Sequence, residues 1–222
     1  MGKQLLAFFL TITACCLIQA TLGTAETVSS DYFPLALGNR WVYESSEGTE
    51  EAPALESWEV IRQEGAAFVV RIQQPFVTLD GIEEQFVVEA EGVTRRVPDS
   101  DPPESQLILK LPVVAGARWQ SGDGVYAVTA LGEPVTTPAG SFANCVEITR
   151  WNKATKITIV STYAPGVGLI HREETFPVIG GLGSDFETSA RGRTVLRLKE
   201  YVSSTLREEE KGHSRNLKGP QE

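Results

Sequence analysis

The chain has 222 residues, 41% of them hydrophobic and 22% charged, with a formal net charge of −9. That is enough chain to bury one sizeable core without disulfide staples. The acidity excludes a nucleic-acid binder, which needs a basic surface to neutralise phosphate, and equally excludes electrostatic docking on anionic lipid headgroups.

Lys3 is the one charge before Glu26, and an apolar stretch runs from Leu5 to Leu22. A positive start, an apolar run and the small residues Gly23-Thr24-Ala25 describe a secretory signal peptide over residues 1–25. A second reading stays open. Ile12-Thr13-Ala14-Cys15 looks like a bacterial lipobox, in which an acylated Cys15 becomes the first residue and the chain's only tie to a membrane. An uncleaved spanning helix fits less well, because Thr11, Thr13, Gln19 and Thr21 interrupt the run. Either cleavage places the protein outside the cytoplasm, in a periplasm or the extracellular space. Cys145 is then the single thiol of the exported domain, read as a small buried hydrophobe on a strand.

Residues 26–205 are expected to form one antiparallel β-domain, in which a period of two dominates after residue 38. Ile82, Phe86 and Val88 share one face and Glu83, Gln85 and Glu89 the other; Leu196 and Leu198 alternate with Arg197 and Lys199. Such alternation predicts half-buried antiparallel strands. The predicted strands are 40–46, 56–64, 67–74, 82–90, 92–97, 106–110, 117–121, 124–131, 143–151, 155–163, 168–175 and 186–202. Turn residues separate them, among them Asp80-Gly81, Asp123-Gly124, Pro138-Ala139-Gly140 and Pro165-Gly166. The fold expected is all-β: a single curved, strongly twisted antiparallel sheet closing into a half-barrel or sandwich-like barrel. Residues 206–222 mix both charges with little to bury and read as a disordered charged tail.

One internal echo stands out. Phe33-Pro34-Leu35-Ala36-Leu37-Gly38-Asn39-Arg40-Trp41 recurs as Leu111-Pro112-Val113-Val114-Ala115-Gly116-Ala117-Arg118-Trp119. In each copy Pro precedes a strand, Gly permits a turn with positive φ, and Trp offers a large apolar plate to the core. Trp41 and Trp119 are therefore expected as core anchors, with the alternative that they are ligand-face aromatics flanking a pocket.

Chemistry is sparse. His171 shares a strand face with Glu173, a conceivable base pairing, but a solvated strand histidine reads more simply. His213 sits in the charged tail. No metal-ligand spacing is present, and Asp99 with Asp101 lacks the rest of a calcium loop. Ser141 lies in Ala-Gly-Ser-Phe-Ala, not in a nucleophile elbow, and Gly180-Gly181-Leu182-Gly183-Ser184 lacks the lysine of a phosphate loop. Adjacent acids such as Glu83-Glu84 and Glu173-Glu174 point to opposite faces of a strand. No catalytic, cofactor or metal residue is expected, and no cofactor.

The opening Asp31-Tyr32-Phe33-Pro34-Leu35-Ala36-Leu37-Gly38-Asn39-Arg40-Trp41-Val42-Tyr43, the middle Thr137-Pro138-Ala139-Gly140-Ser141-Phe142-Ala143-Asn144-Cys145 and the closing Tyr163-Ala164-Pro165-Gly166-Val167-Gly168-Leu169-Ile170 resemble a group of uncharacterised bacterial exported proteins, a domain of unknown function. The resemblance covers roughly residues 31–202. It implies a curved antiparallel sheet similar to periplasmic lipoprotein carriers, and it brings no catalytic residues. The function expected is a non-catalytic binding module of the cell envelope, holding a lipid, acyl chain or peptide on an apolar concave face. A structural or interaction subunit, docking on an envelope protein, and a carboxylate-dependent hydrolase are the alternatives.

Overall fold

The structure is a computed structural model describing residues 30–47, 52–74, 80–97, 103–178 and 191–204. The leader, the tail from residue 206, Asp99, Asp101, His213 and the glycine run 180–184 lie outside the described residues. A 3-10 turn (Ser30–Tyr32) precedes twelve strands: β1 (Arg40–Ser46), β2 (Ala54–Glu64), β3 (Ala67–Gln73), β4 (Ile82–Glu89), β5 (Gly92–Val97), β6 (Glu104–Lys110), β7 (Arg118–Ser121), β8 (Gly124–Thr137), β9 (Gly140–Asn152), β10 (Thr158–Ala164), β11 (Gly168–Pro177) and β12 (Arg191–Val202).

All twelve strands form one antiparallel sheet in the order β6-β5-β4-β3-β2-β1-β12-β11-β10-β9-β8-β7. Every neighbour is thus a chain neighbour, except where β1 pairs β12 from Arg40↔Val202 to Ser46↔Val195. The sheet curls until its edges, β6 and β7, lie side by side. No backbone ladder joins them among the described residues; side chains bridge the gap instead. The Trp119 indole N–H donates to Leu107 O at 2.7 Å, Ser121 Oγ accepts from Leu107 N at 2.7 Å, and the Tyr126 hydroxyl donates to Gln106 Oε1 at 3.1 Å. The result is a barrel nearly closed, with one unsealed seam.

The twelve strands follow the sequence reading closely; the long β8–β9 hairpin does not. Strand 8 was expected to stop at residue 131, where Gly132 and Pro134 break the alternation. It runs on to Thr137 through irregularities at Val128/Ala130, Leu131/Glu133 and Glu133/Val135. Bulges absorb residues that a regular ladder rejects, and they bend the strand. The bent hairpin reaches β12, where Ala139 N donates to Leu198 O at 3.0 Å.

The sequence echo is also a structural one. Gly38 N donates to Val60 O and Val60 N to Asn39 O, both at 2.9 Å; Gly116 N donates to Val128 O at 3.2 Å and Val128 N to Ala117 O at 2.9 Å. Gly38 and Gly116 take φ of 84° and 74°, a left-handed conformation costly for any residue with a Cβ. Each Trp then opens its strand and stacks on a tyrosine: Trp41 on Tyr201 at 5.4 Å and Trp119 on Tyr126 at 5.3 Å between ring centroids.

The end of the barrel holding the chain start is packed with aromatics. Phe33 enters the barrel and meets Phe86 at 5.1 Å and Tyr163 at 6.1 Å. Backbone and side-chain bonds hold it there: Gly166 N donates to Asp31 O at 2.8 Å, and the Tyr32 hydroxyl to Asn144 O at 2.6 Å. Asn39, buried, clasps both termini of the domain, its Nδ2 donating to Pro34 O and its Oδ1 accepting from Ser204 N, each at 2.9 Å.

Candidate functional site

The opposite end of the barrel is polar. Inward positions of β2, β4, β5 and β11 carry Glu56, Glu84, Arg95, Arg172 and Glu174 where the period-two pattern demands apolar residues. They line a cavity of about 280 Å³, together with Trp58, Gln74 and Thr194. Arg172 and Glu174 are each about one third exposed, so the chamber opens to solvent. A smaller pocket of about 70 Å³ lies deeper, sharing Trp58, Glu84, Arg95 and Arg172 with the chamber and adding Gln106, Tyr126, Arg150 and Ser161. By contrast, the apolar pocket among Phe33, Trp41, Tyr43 and Trp58 retains about 10 Å³. That is the threshold for one water molecule, so the aromatic end is filled by side chains.

Each chamber charge has an identifiable environment. Glu84 is 8% exposed, and Arg95 grips both its carboxylate oxygens, with Nε at 2.7 Å from Oε2 and Nη2 on Oε1. Their side chains meet because Glu84 and Arg95 lie diagonally on β4 and β5, whose register pairs Phe86 with Arg95. Arg172 reaches Glu174 along its own strand at 3.4 Å. Glu56 is 5% exposed and accepts the Trp58 indole N–H at 2.6 Å. Burial pushes its carboxyl above the usual carboxylate range, against the pull of the Trp58 bond and of Arg172. Deeper still, burial raises the Tyr163 phenol to about 12, with Arg172 pulling it back.

The residues singled out from sequence fall elsewhere. Trp41 and Trp119 are 5% and 8% exposed and belong to the hydrophobic core; Trp41 donates its indole N–H to Val167 O at 2.6 Å. Cys145 is buried, its thiol donating to Phe142 O at 3.4 Å, and burial raises its pKa, which makes it a poor nucleophile. His171 lies half-buried on the outer wall opposite Arg197, and burial lowers its pKa; Glu173 beside it is held by Arg193 through two bonds of 2.7 Å. Ser141 shares its hydroxyl with Thr136 at 2.9 Å. Glu83 does point outward, to Arg62 and Arg71, while Glu84 points in. Among the described residues no group of three or more His, Cys, Asp or Glu is placed to hold a metal ion.

The chamber residues escaped the sequence reading although the pattern marked them. Glu84 occupies the gap in the apolar series Ile82, Phe86, Val88. Ser161 does the same between Ile159 and Tyr163. A charge at an inward position is costly unless paired, and so signals a partner across the barrel.

No family model matches the chain, and no curated protein matches it. Among solved structures, a candidate lipoprotein of Parabacteroides distasonis is similar at a TM-score of 0.45 and 15% identity, covering 77% of this chain and 98% of that one. A candidate exported protein with YmcC-like fold from Bacteroides fragilis is similar at a TM-score of 0.39 and 13% identity, again over 77% and 98%.

Proposed function

We propose that this chain is an exported, non-catalytic binding module that holds a small polar ligand in the charged end of its barrel. The observation that carries the proposal is the 280 Å³ chamber lined by Glu56, Glu84, Arg95, Arg172 and Glu174. Concave, mostly preformed cavities with a few convergent polar groups are where small ligands bind. Export rests on the leader, with cleavage after residue 25 or acylation at Cys15 as its two forms.

The acyl-chain version has less support, since the oily end of the barrel is occupied by Phe33 and its neighbours. A peptide added as a strand would need a free sheet edge, whereas the β6 edge lies against β7, whose Trp119 and Ser121 side chains take both backbone groups of Leu107. Catalysis by paired carboxylates needs one acid free to move protons. Glu84 has both oxygens bound to Arg95, and Glu174 is tied to Arg172, so Glu56 has no free partner acid.

The test exposes the purified exported chain to the polar and lipid fractions of a bacterial envelope extract, with native mass spectrometry as the readout. A polar compound retained by the protein, and lost in the Glu84→Leu/Arg95→Met double variant, supports the proposal. Retention from the lipid fraction alone, retention from neither, or conversion of the compound to a product overturns it.

A further inference from the structure

We propose that the deep end of the chamber is an oxyanion site, in which Arg95, Arg150 and Arg172 take one carboxylate or phosphoryl group of the ligand. This rests on the reading of the barrel as a binding module and names the chemistry of its ligand.

The three arginines come from three walls of the barrel, β5, β9 and β11, and all line the 70 Å³ pocket. Among the lining residues only Glu84 opposes them, so guanidinium exceeds carboxylate by three to one. Glu84 is already committed to Arg95. Arg150 gives one nitrogen to Asp123 at 2.7 Å, outside the pocket lining, and that carboxylate is 57% exposed. Its Nε is buried with no hydrogen-bond partner among the described residues. Among the described residues Arg172 makes one long side-chain bond, the 3.4 Å contact to Glu174, and it also faces Glu56 across the chamber. Two guanidiniums therefore have donor capacity left over. The Tyr126 hydroxyl and Ser161 supply neutral polar groups to the same pocket.

The electrostatics of Tyr126 agree. Burial raises its phenol, Arg150, Arg95 and Arg172 pull it down and Asp123 pushes it up, so cationic charge outweighs anionic in number around this one group of the pocket lining. Phe33 and Tyr163, both buried, line the same pocket, so a bound anion meets an apolar wall that strengthens its pairing. Charge reverses on the way out. The outer chamber sets Glu56, Glu84 and Glu174 against Arg95 and Arg172, which disfavours a second anion. A guanidinium fork matches the planar carboxylate and the phosphoryl group alike.

The experiment uses the ¹⁵N-labelled exported chain in a buffer free of phosphate, sulfate and carboxylate, titrated separately with inorganic phosphate, acetate and methylammonium. The indole N–H resonances of Trp58, which lines both cavities, and of Trp119, which stacks on Tyr126, report occupancy. The expected result is a saturable shift of both indoles with phosphate or acetate, the better of the two identifying the group. Arg150→Gln and Arg172→Gln each weaken the better anion by about tenfold or more, the loss of a charged hydrogen bond. Arg150→Lys keeps part of the affinity, and an unshifted Trp41 indole shows that each variant is folded. Neither anion moving Trp119, or both glutamine variants binding like the parent, overturns the oxyanion site. In that event, saturation of Trp58 alone by methylammonium leaves the binding module standing, and a chamber that answers no probe removes both.

Discussion

The Glu84–Arg95 pair is the sharpest test of how the chamber is held. Arg95→Met keeps the length of the side chain and removes its charge. It strands the Glu84 carboxylate, whose side chain is 10% exposed and loses the donors to both oxygens. Breaking a buried pair from one side costs about 3–5 kcal/mol. Arg95 is itself 29% exposed, so water reaches the vacated space and the expected loss falls at or just below that range, about 2–3 kcal/mol. Glu84→Leu should cost less, about 1–2 kcal/mol, because the orphaned guanidinium is the better hydrated partner. The double variant leaves no charge unpaired and should fall within about 1 kcal/mol of the parent, giving a coupling of about 2 kcal/mol or more. Urea unfolding at constant m-value measures all three. A loss below about 0.5 kcal/mol for Arg95→Met, or a double variant as weak as the two losses added, would refute the claim that this bond organises the polar end.

Glu56→Gln keeps an acceptor for the Trp58 indole and removes the titration. Because the folded carboxyl sits above its unfolded value, its contribution to stability is complete at low pH and is lost as pH rises through the folded value. The variant should therefore gain on the parent as pH rises above the ordinary carboxylate range; parallel stability–pH curves would count against a buried Glu56. The half-buried Glu83 and Glu173, held low by Arg62 with Arg71 and by Arg193, act with the opposite sign, so the comparison must be parent against variant. Phe33→Ala withdraws the aromatic plug and should cost about 3 kcal/mol, the low end for a buried phenylalanine, again by urea unfolding; a near-neutral effect would mean that the plug does not seal the barrel. Gly116→Ala meets open space but a φ of 74°, so it should cost about 1–2 kcal/mol from backbone strain alone, and no change in urea midpoint would contradict the turn geometry.

Legibility of the fold and of the site diverged for a physical reason. Alternation and turn residues report on single strands, and they delivered twelve strands and the Trp-led turns at Gly38 and Gly116. Closure depends on which edges meet, and nothing local to β6 or β7 says that Leu107 will bond to Trp119 and Ser121. The chamber was hidden in the same way. Glu84 in isolation looks like a wet residue on an alternating strand; only the pairing of β4 with β5 shows that Arg95 waits beside it. His171 was the more conspicuous residue, since histidine is rare here, yet its strand parity puts it on the outer wall with Arg197 rather than in the barrel.

The echo explains why one junction is open. Strands β1–β6 and β7–β12 are two six-stranded meanders, each led by the same Pro-Gly-Arg-Trp turn, and two such units can meet at two junctions. At β12–β1 a backbone ladder forms, and Trp41 is free to donate to Val167 in the plugged end. At β6–β7 the equivalent indole, Trp119, takes Leu107 O itself, and Ser121 takes Leu107 N. The N–H and C=O of Leu107 are thereby satisfied without a ladder, which interrupts the β6 edge at that residue as a template for another chain. The same side-chain junction lies beside Gln106 and Ile108 of β6 and Tyr126 of β8, all of which line the deep pocket. The tryptophan that leads each half thus sits in the core in both, but directs its indole N–H to the plugged end in the first and to the facing sheet edge in the second.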